Sequence, residues 1–459
     1  VIDVTKVIVL GIALTLSATA REDYTRNFDK TFTLRQGQAV LVEHKFGEIV
    51  IHTHPQSELT IHAEIHVSAS DRARAEEFAR KVEILAESFA SEFSIRTRYP
   101  ETPTSFLGFN NISYSVRYEI TMPEGAPLEV RNSFGAVSIT GLKANGNIRT
   151  SHGSLSFRDG KGVQRLEDSF SSVELLGNAG DVVIDNTNGS VKAADVSGAL
   201  TIRDRFASVS AERISKDVTI TNTNGSVDVS DSAGTGIIKN AFGNVTVHNL
   251  RGNLTVHNGN GKVEALNVTG TAELNTSFSE VRFSDIGGSL SVRANNARIE
   301  GSKVKGSVKI ENSFGGVAVT DVGGGTHIQS ANGAVTVMGI HGEANVKTSF
   351  AGVNLQQVAG AIDVDNQNGS VDASSTAQTG CQPIVIHTSF SPIRVHLSGA
   401  PSYRVTASTS FGKIHSDFPL TVSGSMSSDS VNGAIGDGRC EMRLTDNNGA
   451  IEILHSPSQ

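Results

Sequence analysis

Few side chains in this sequence stand where they could do chemistry together. Histidines gather near the N-terminus, at His44, His52, His54, His62 and His66. His52 and His54 share one strand face, as do His62 and His66, a spacing compatible with metal capture. The plainer reading, solvated outward strand faces, is preferred. Two cysteines, Cys381 and Cys440, are far apart in sequence. In an oxidising compartment they can pair and staple the C-terminal region. A metal or catalytic thiol is disfavoured, since neither has a CxxC partner or an acid–base residue nearby. HExxH, P-loop, GxSxG and dinucleotide motifs are missing. No residue is therefore assigned as catalytic, cofactor-binding or metal-ligating, and no cofactor is expected.

The elements that would position any site follow one period. Turn-like tripeptides are centred on Phe134, His152, Phe170, Asn188, Phe206, Asn224, Phe242, Asn260, Phe278, Asn296, Phe314, Asn332, Phe350 and Asn368, at a constant step of eighteen. Phe alternates with Asn, His152 standing once for Asn. Taking each landmark as position 0, position +3 is always aliphatic, as at Val191, Val227 and Val263. Position +14 is aliphatic throughout, as at Ile184, Ile202 and Ile220, and +5 is a looser apolar site. Polar residues separate them, so each unit carries two short alternating strands. Glycine recurs at +10 (Gly162, Gly180, Gly252), suited to a corner of positive φ. Identical eighteen-residue units of this kind coil and stack in parallel register. That predicts an all-β fold, a parallel β-solenoid with one N-terminal helix.

Coil size has two solutions. One coil holds either a single unit or two, the latter with a Phe half and an Asn half. Like-on-like stacking, Phe over Phe and Asn over Asn in an amide ladder, favours the larger coil. At about 4.8 Å per rung the small coil gives a rise of roughly 60 Å from Phe134 to Asn368, the large coil half that. The Phe column is expected to fill a core corner, although a carbohydrate-stacking platform is the alternative. The Asn-Gly turns are read as left-handed corners rather than as a ligand site.

The chain divides into an expected leader at 1–20, an N-terminal part at 21–127, the regular array at 128–378 and irregular C-terminal coils with a cap at 379–459. Lys6, the apolar run Val7 to Leu16 and Ala18-Thr19-Ala20 predict a signal peptide cleaved after Ala20. Val40, Val42, Phe46-Gly47, Ile49 and Ile51 form a first coil. A strand with Leu59, Ile61, Ala63, Ile65 and Val67 on one face follows. From Asp71 to Phe93, Ala75, Phe78, Val82, Leu85 and Phe89 fall at helical spacing and predict an amphipathic lid over that coil. Later landmarks at Phe390, Phe411, Asn432 and Asn448 lose the regular step, so coils continue with longer corners.

Asn-Gly-x-Val units at 188–191, 224–227 and 368–371, the stretch Tyr118 to Pro123, and the ending Ile435 to Gly438 followed by Asn448-Gly449-Ala450-Ile451 resemble the bacterial DUF4097 family, commonly labelled adhesins. They resemble the auto-transporter adhesin head-domain proteins more loosely. The resemblance covers nearly all of the mature chain and implies an exported, right-handed β-helical envelope protein, with no catalytic residues to carry over. The regular Phe alternation departs from the family's plain Asn-Gly pattern.

Composition agrees with many short strands. Gly numbers 46, Trp is absent and aromatics are 5%. With 39 basic and 47 acidic residues the net charge is -8, neither a nucleic-acid footprint nor a polybasic membrane patch. No transmembrane span is expected in the mature chain. Turn aspartates of calcium-binding rolls and an outward Thr ladder are not found. Outward charges change sign along the stack, as from Glu167 to Arg203 or from Glu311 to Lys347, rather than clustering as in a polysaccharide-cleaving β-helix. These readings predict a non-enzymatic adhesin or envelope binding and scaffold protein, exported to the periplasm, outer surface or medium. Its partner is an unknown envelope or extracellular ligand, polysaccharide or protein. A carbohydrate-active lyase or hydrolase is the alternative.

Overall fold

The computed structural model describes residues 21–100, 112–376, 381–423 and 427–456; the expected leader lies outside them. Among the described residues no helix is long and apolar enough to cross a membrane. Strands stack in parallel, each on its equivalent in the very next unit: Val173 on Val191 on Val209, and Val182 on Leu200 on Val218. One coil is therefore a single unit, and the favoured two-unit coil is incorrect. Phe and Asn interleave instead, Asn224 over Phe242 over Asn260 over Phe278. Like-on-like stacking was the wrong criterion because register is set by inward residues. At +3 and +14 those are aliphatic in every unit, so the hydrophobic core does not distinguish a Phe rung from an Asn rung.

In the coil from Val209 the core residues are Val209, Ala211, Ile214, Val218 and Ile220, all buried. Position +8, here Ile214, faces inward although period two from +5 would turn it out. The cause lies at +7, where a left-handed residue bends the strand: Asp195 (φ 59°), Arg213 (54°), Asp231 (49°), Asn249 (55°) and Asn267 (57°). Asp and Asn tolerate that region best. This bend is a corner beyond the two that the sequence pattern predicts.

The expected positive φ at +10 holds at Gly162 (99°), Gly180 (152°) and Gly234 (78°), but later glycines such as Gly252 have another basis. Gly252 has no positive φ, but a Cβ there would lie 1.9 Å from the carbonyl oxygen of Gly234 in the adjacent coil. Close backbone approach, repeated coil upon coil, is what requires Gly.

At the N-terminal end, Ala39–Phe46 and Ile49–His54 form the expected first coil, with Val40 on Leu128 and Ile49 on Val137. Glu92–Arg98 and Ser113–Pro123 stack beneath it. Antiparallel strands finish the sheet: Glu58–Ala69 on Ser113–Pro123, Glu22–Thr33 on Glu58–Ala69, and Glu83–Ser88 on Glu92–Arg98. The helix is shorter than expected, Arg72–Lys81. Asp71 caps it, accepting from the Arg74 amide at 2.9 Å. It buries Ala75, Phe78 and Ala79 and packs on Glu22–Thr33 and Glu58–Ala69, not on the first coil. Val82 turns extended, and Leu85 joins a hairpin strand whose turn exposes Phe89. β pairing with Glu92–Arg98 overrides the helical spacing there.

The C-terminal coils do not follow chain order. Cys440–Thr445 lies on Ile384–His387, and Tyr403–Ser408 lies on Cys440–Thr445. Likewise Ile451–His455 sits between Ile393–Leu397 and Ile414–Ser416. The last coil is thus inserted between two earlier ones. Antiparallel Ser430–Ile435 closes the end on Tyr403–Ser408. The Cys381–Cys440 disulfide, Cα atoms 5.7 Å apart, ties the inserted strand to the preceding coil.

Candidate functional site: an outward Phe/Asn ladder

The landmark residues form a ladder on the outside of the solenoid. Phe134, Phe170, Phe206, Phe242, Phe278, Phe314, Phe350, Phe390 and Phe411 are 42% to 83% exposed. The expectation that this column fills a core corner is overturned. The corner interior is occupied by position -2, one strand step before the landmark: Asn186, Asn222, Asn240, Asn258 and Asn312 are buried there. Each amide joins two coils. Asn258 Nδ2 donates to the carbonyl oxygens of Gly243 at 3.0 Å and Gly261 at 3.1 Å, and Asn312 Nδ2 to those of Ala297 at 2.8 Å and Gly315 at 3.1 Å. These bonds satisfy turn carbonyls that the ladder corner would otherwise leave buried and unpaired. The amide ladder expected at the landmarks thus runs two residues earlier, inside the wall.

Some rungs of the inner column carry ionisable groups. Thr150 Oγ1 donates to Asp168 Oδ1 at 2.5 Å, while Asp168 Oδ2 accepts from the Ser171 amide at 2.7 Å. Burial pushes the Asp204 carboxyl up to about 6, against the opposing pull of the Arg205 and Phe206 amides. At the N-terminal end His44 takes the same position below Phe46. Burial lowers its imidazole to about 4, and Nδ1 meets Thr97 Oγ1 at 3.0 Å, itself 2.6 Å from the Tyr118 hydroxyl. Burial raises the Tyr118 phenol.

The outer ladder has two textures. Near its N-terminal end rings occupy successive rungs: Phe46 and Phe134 stack at 5.4 Å, Phe134 and His152 at 4.8 Å, His152 and Phe170 at 4.5 Å. Beyond Asn188, rings occupy alternate rungs, about 10 Å apart at two strand spacings. Alternation survives the rearranged C-terminal coils. The Asn448 amide donates to the Ser389 carbonyl at 3.0 Å, and the Phe411 amide to that of Asn447 at 3.0 Å, so the spatial order is Phe390, Asn448, Phe411.

A groove of about 950 Å³ runs beside the ladder, floored by small residues such as Ala241, Gly259 and Ser277. Its rim carries Lys239, His257, Arg293, Glu311 and Lys347. A second groove, about 1050 Å³, follows the Gly corner and is lined by Thr235, Asn253, Glu273, Lys309 and His327. The charges pair with one another: Arg293 meets Glu273 at 3.0 Å and Glu311 at 3.4 Å, and a hydrogen bond from Lys309 holds the Glu311 carboxyl below its usual range. On the bend at +7, Arg213 forks onto Asp195 at 2.6 and 2.9 Å. Exposed pairs of this kind contribute little individually and mainly relieve like-charge stacking.

The N-terminal histidines do not converge. His62 Nδ1 meets Asp29 at 2.5 Å and His66 Nε2 lies 3.9 Å from Asp23, while His52 is exposed and His44 is buried elsewhere. Among the described residues no group of three or more metal-capable side chains occurs. The surface that departs most from an ordinary solvated wall is the ladder. A row of half-exposed rings at regular intervals can bind an extended partner along the solenoid axis.

The chain matches no family model and no curated protein. Similar solved structures include a candidate cell adhesion protein from Clostridium sporogenes ATCC 15579, 11% identical, covering 94% of this chain and 100% of that one with a TM-score of 0.17. A candidate adhesin from Parabacteroides distasonis ATCC 8503 is 12% identical, covering 64% of this chain and 96% of that one with a TM-score of 0.21. At such scores the likeness carries no argument, and fold and site rest on register and side-chain placement in this chain.

Proposed function

We propose that this chain is an exported, non-catalytic binding or scaffold protein of the bacterial envelope, adhesin-like in role, with the Phe/Asn ladder as its working surface. One observation carries the reading: nine large apolar side chains are held in register on the outside of a wall whose core is already complete. Folding does not need them there, because the inner column fills the corner behind them. Exposed apolar rows of this extent mark interaction surfaces in water-soluble proteins. The test is retention of the purified mature chain on isolated envelopes, compared with a Phe206→Ser/Phe242→Ser/Phe278→Ser variant. The reading expects wild-type retention and a loss of about tenfold or more in the variant. Equal retention removes the ladder from the function. Turnover of uronate-containing or neutral polysaccharides by the purified chain would favour the carbohydrate-active alternative.

A further inference from the structure

We propose that the ladder's partner is a second copy of this chain, docked antiparallel so that the phenylalanines of one ladder enter the asparagine gaps of the other. The proposal rests on the ladder being the working surface and names what covers it.

Spacing is the first argument. Rings at alternate rungs stand about 10 Å apart, so a ring entering midway lies about 5 Å from each neighbour, within the range in which aromatic pairs attract. The same molecule already shows the filled arrangement. From Phe46 through Phe134 and His152 to Phe170, rings at every rung stack 4.5 to 5.4 Å apart with interplanar angles of 13° to 23°. Meshing two alternating ladders reproduces between chains what those rungs achieve within one.

Area is the second. At about 200 Å² per Phe side chain, the nine ladder phenylalanines at their observed exposures present roughly 1,000 Å². Two ladders supply roughly 2,000 Å², enough for a specific interface of about 1,200–2,000 Å² even with incomplete overlap.

The flanks supply the third. A polysaccharide offers the same hydroxyls at each repeat and calls for donors and acceptors that repeat with it. The polar column beside the ladder does not repeat: Lys239, His257, Asn275, Arg293 and Glu311 follow one another. Only the Phe/Asn alternation is periodic, and a Phe ring has no polar handle. A second ladder is satisfied by that alternation alone. Antiparallel docking closes a two-fold pair, whereas a parallel copy shifted by one rung would propagate without closing.

Sedimentation equilibrium of the full mature chain tests this, with circular dichroism and thermal melts confirming the fold of each variant. The wild type is expected to dimerise, and Phe206→Ser/Phe242→Ser/Phe278→Ser to weaken association about a hundredfold. A gap-filled variant, Asn224→Phe/Asn260→Phe/Asn296→Phe, adds apolar surface but removes the gaps; it is expected to weaken pairing about tenfold or more. Tighter association of the gap-filled variant would overturn the meshing, as would a dimer indifferent to both sets. A monomeric wild type whose envelope retention still depends on the ladder would overturn self-pairing and leave the binding role standing. Loss of both would sink the two together. Ladder-dependent binding of a monomer to chitin hexamer or oligogalacturonate would assign the surface to glycan instead.

Discussion

The regular array and the C-terminal coils are built from the same unit and connected by different rules. In the array each coil lies on the one before it in sequence, as Val191 lies between Val173 and Val209. At the C-terminal end the chain lays down 384–397, then 403–416, and finally slips 440–455 between them. The stacking chemistry is nevertheless unchanged: Ile393 sits on Ile451, and Ile451 on Ile414. Inward aliphatic residues and a turn at fixed spacing therefore suffice to specify a neighbour. Sequence adjacency only makes the usual neighbour quicker to find.

The sharpest way to break the comparison is to place a charge in each core. Val227→Asp in the array should cost more than about 4 kcal/mol and unfold coils on both sides, because an uncompensated buried carboxylate disrupts two interfaces at once. Ile453→Asp should fray the C-terminal coils while leaving the array folded; hydrogen exchange resolved along the chain distinguishes the two. Next in size is the disulfide, which spans a separation of 59 residues. Cys381→Ser/Cys440→Ser should lower stability by up to about 4 kcal/mol on the loop-entropy estimate. Protection should be lost in 440–455 first, since that coil is inserted between two laid down earlier.

The inner column gives a smaller, pH-dependent contrast. Asp204 titrates near 6 folded against 3.8 unfolded, so its stabilising share is present below 3.8 and is lost as pH rises through about 6. Asp204→Asn should raise stability at pH 7 by about 1–3 kcal/mol and remove that slope. His44 has the opposite sign. Its folded value of about 4 lies below 6.5, so its share is present above 6.5 and lost as pH falls toward 4. Urea titrations at pH 4 to 7 should show the Asp204→Asn protein losing more on acidification than the wild type. Smallest is the inner–outer pair: Asn258→Ala should cost about 1–3 kcal/mol by orphaning two carbonyls, Asn260→Ala under about 0.5. Equal costs would mean that the inner amides do not hold the coils.

The residues that revealed the fold were those whose type is nearly invariant along the stack. Position +3 is Val or a close relative in every unit, so the parallel wall could be read from sequence. The bend at +7 could not, because Asp195, Arg213, Asn249 and Lys303 share a backbone conformation but no side-chain type. The inner amide column has a visible signal in the recurrence of Asn222, Asn240 and Asn258, but it is less regular than the landmark two residues later. With the corner interior filled at -2, the landmark Phe is left outside. The order of the last coils depends on pairing between segments tens of residues apart, for which local pattern holds no information. The helix was legible only as far as Lys81; Leu85 and Phe89 kept its period by coincidence and joined a hairpin.

One coil per unit, combined with a motif that recurs only at every second unit, has a consequence for how such a molecule can grow or shrink. Duplicating or deleting a single coil leaves the wall intact, since every inward position finds an equivalent partner, yet it sets two rings or two amides side by side and shifts the phase of everything beyond. Only changes of two coils preserve phase. The architecture counts in ones and its surface in twos, so homologous chains of different length should differ by even numbers of coils wherever the outer face is in use.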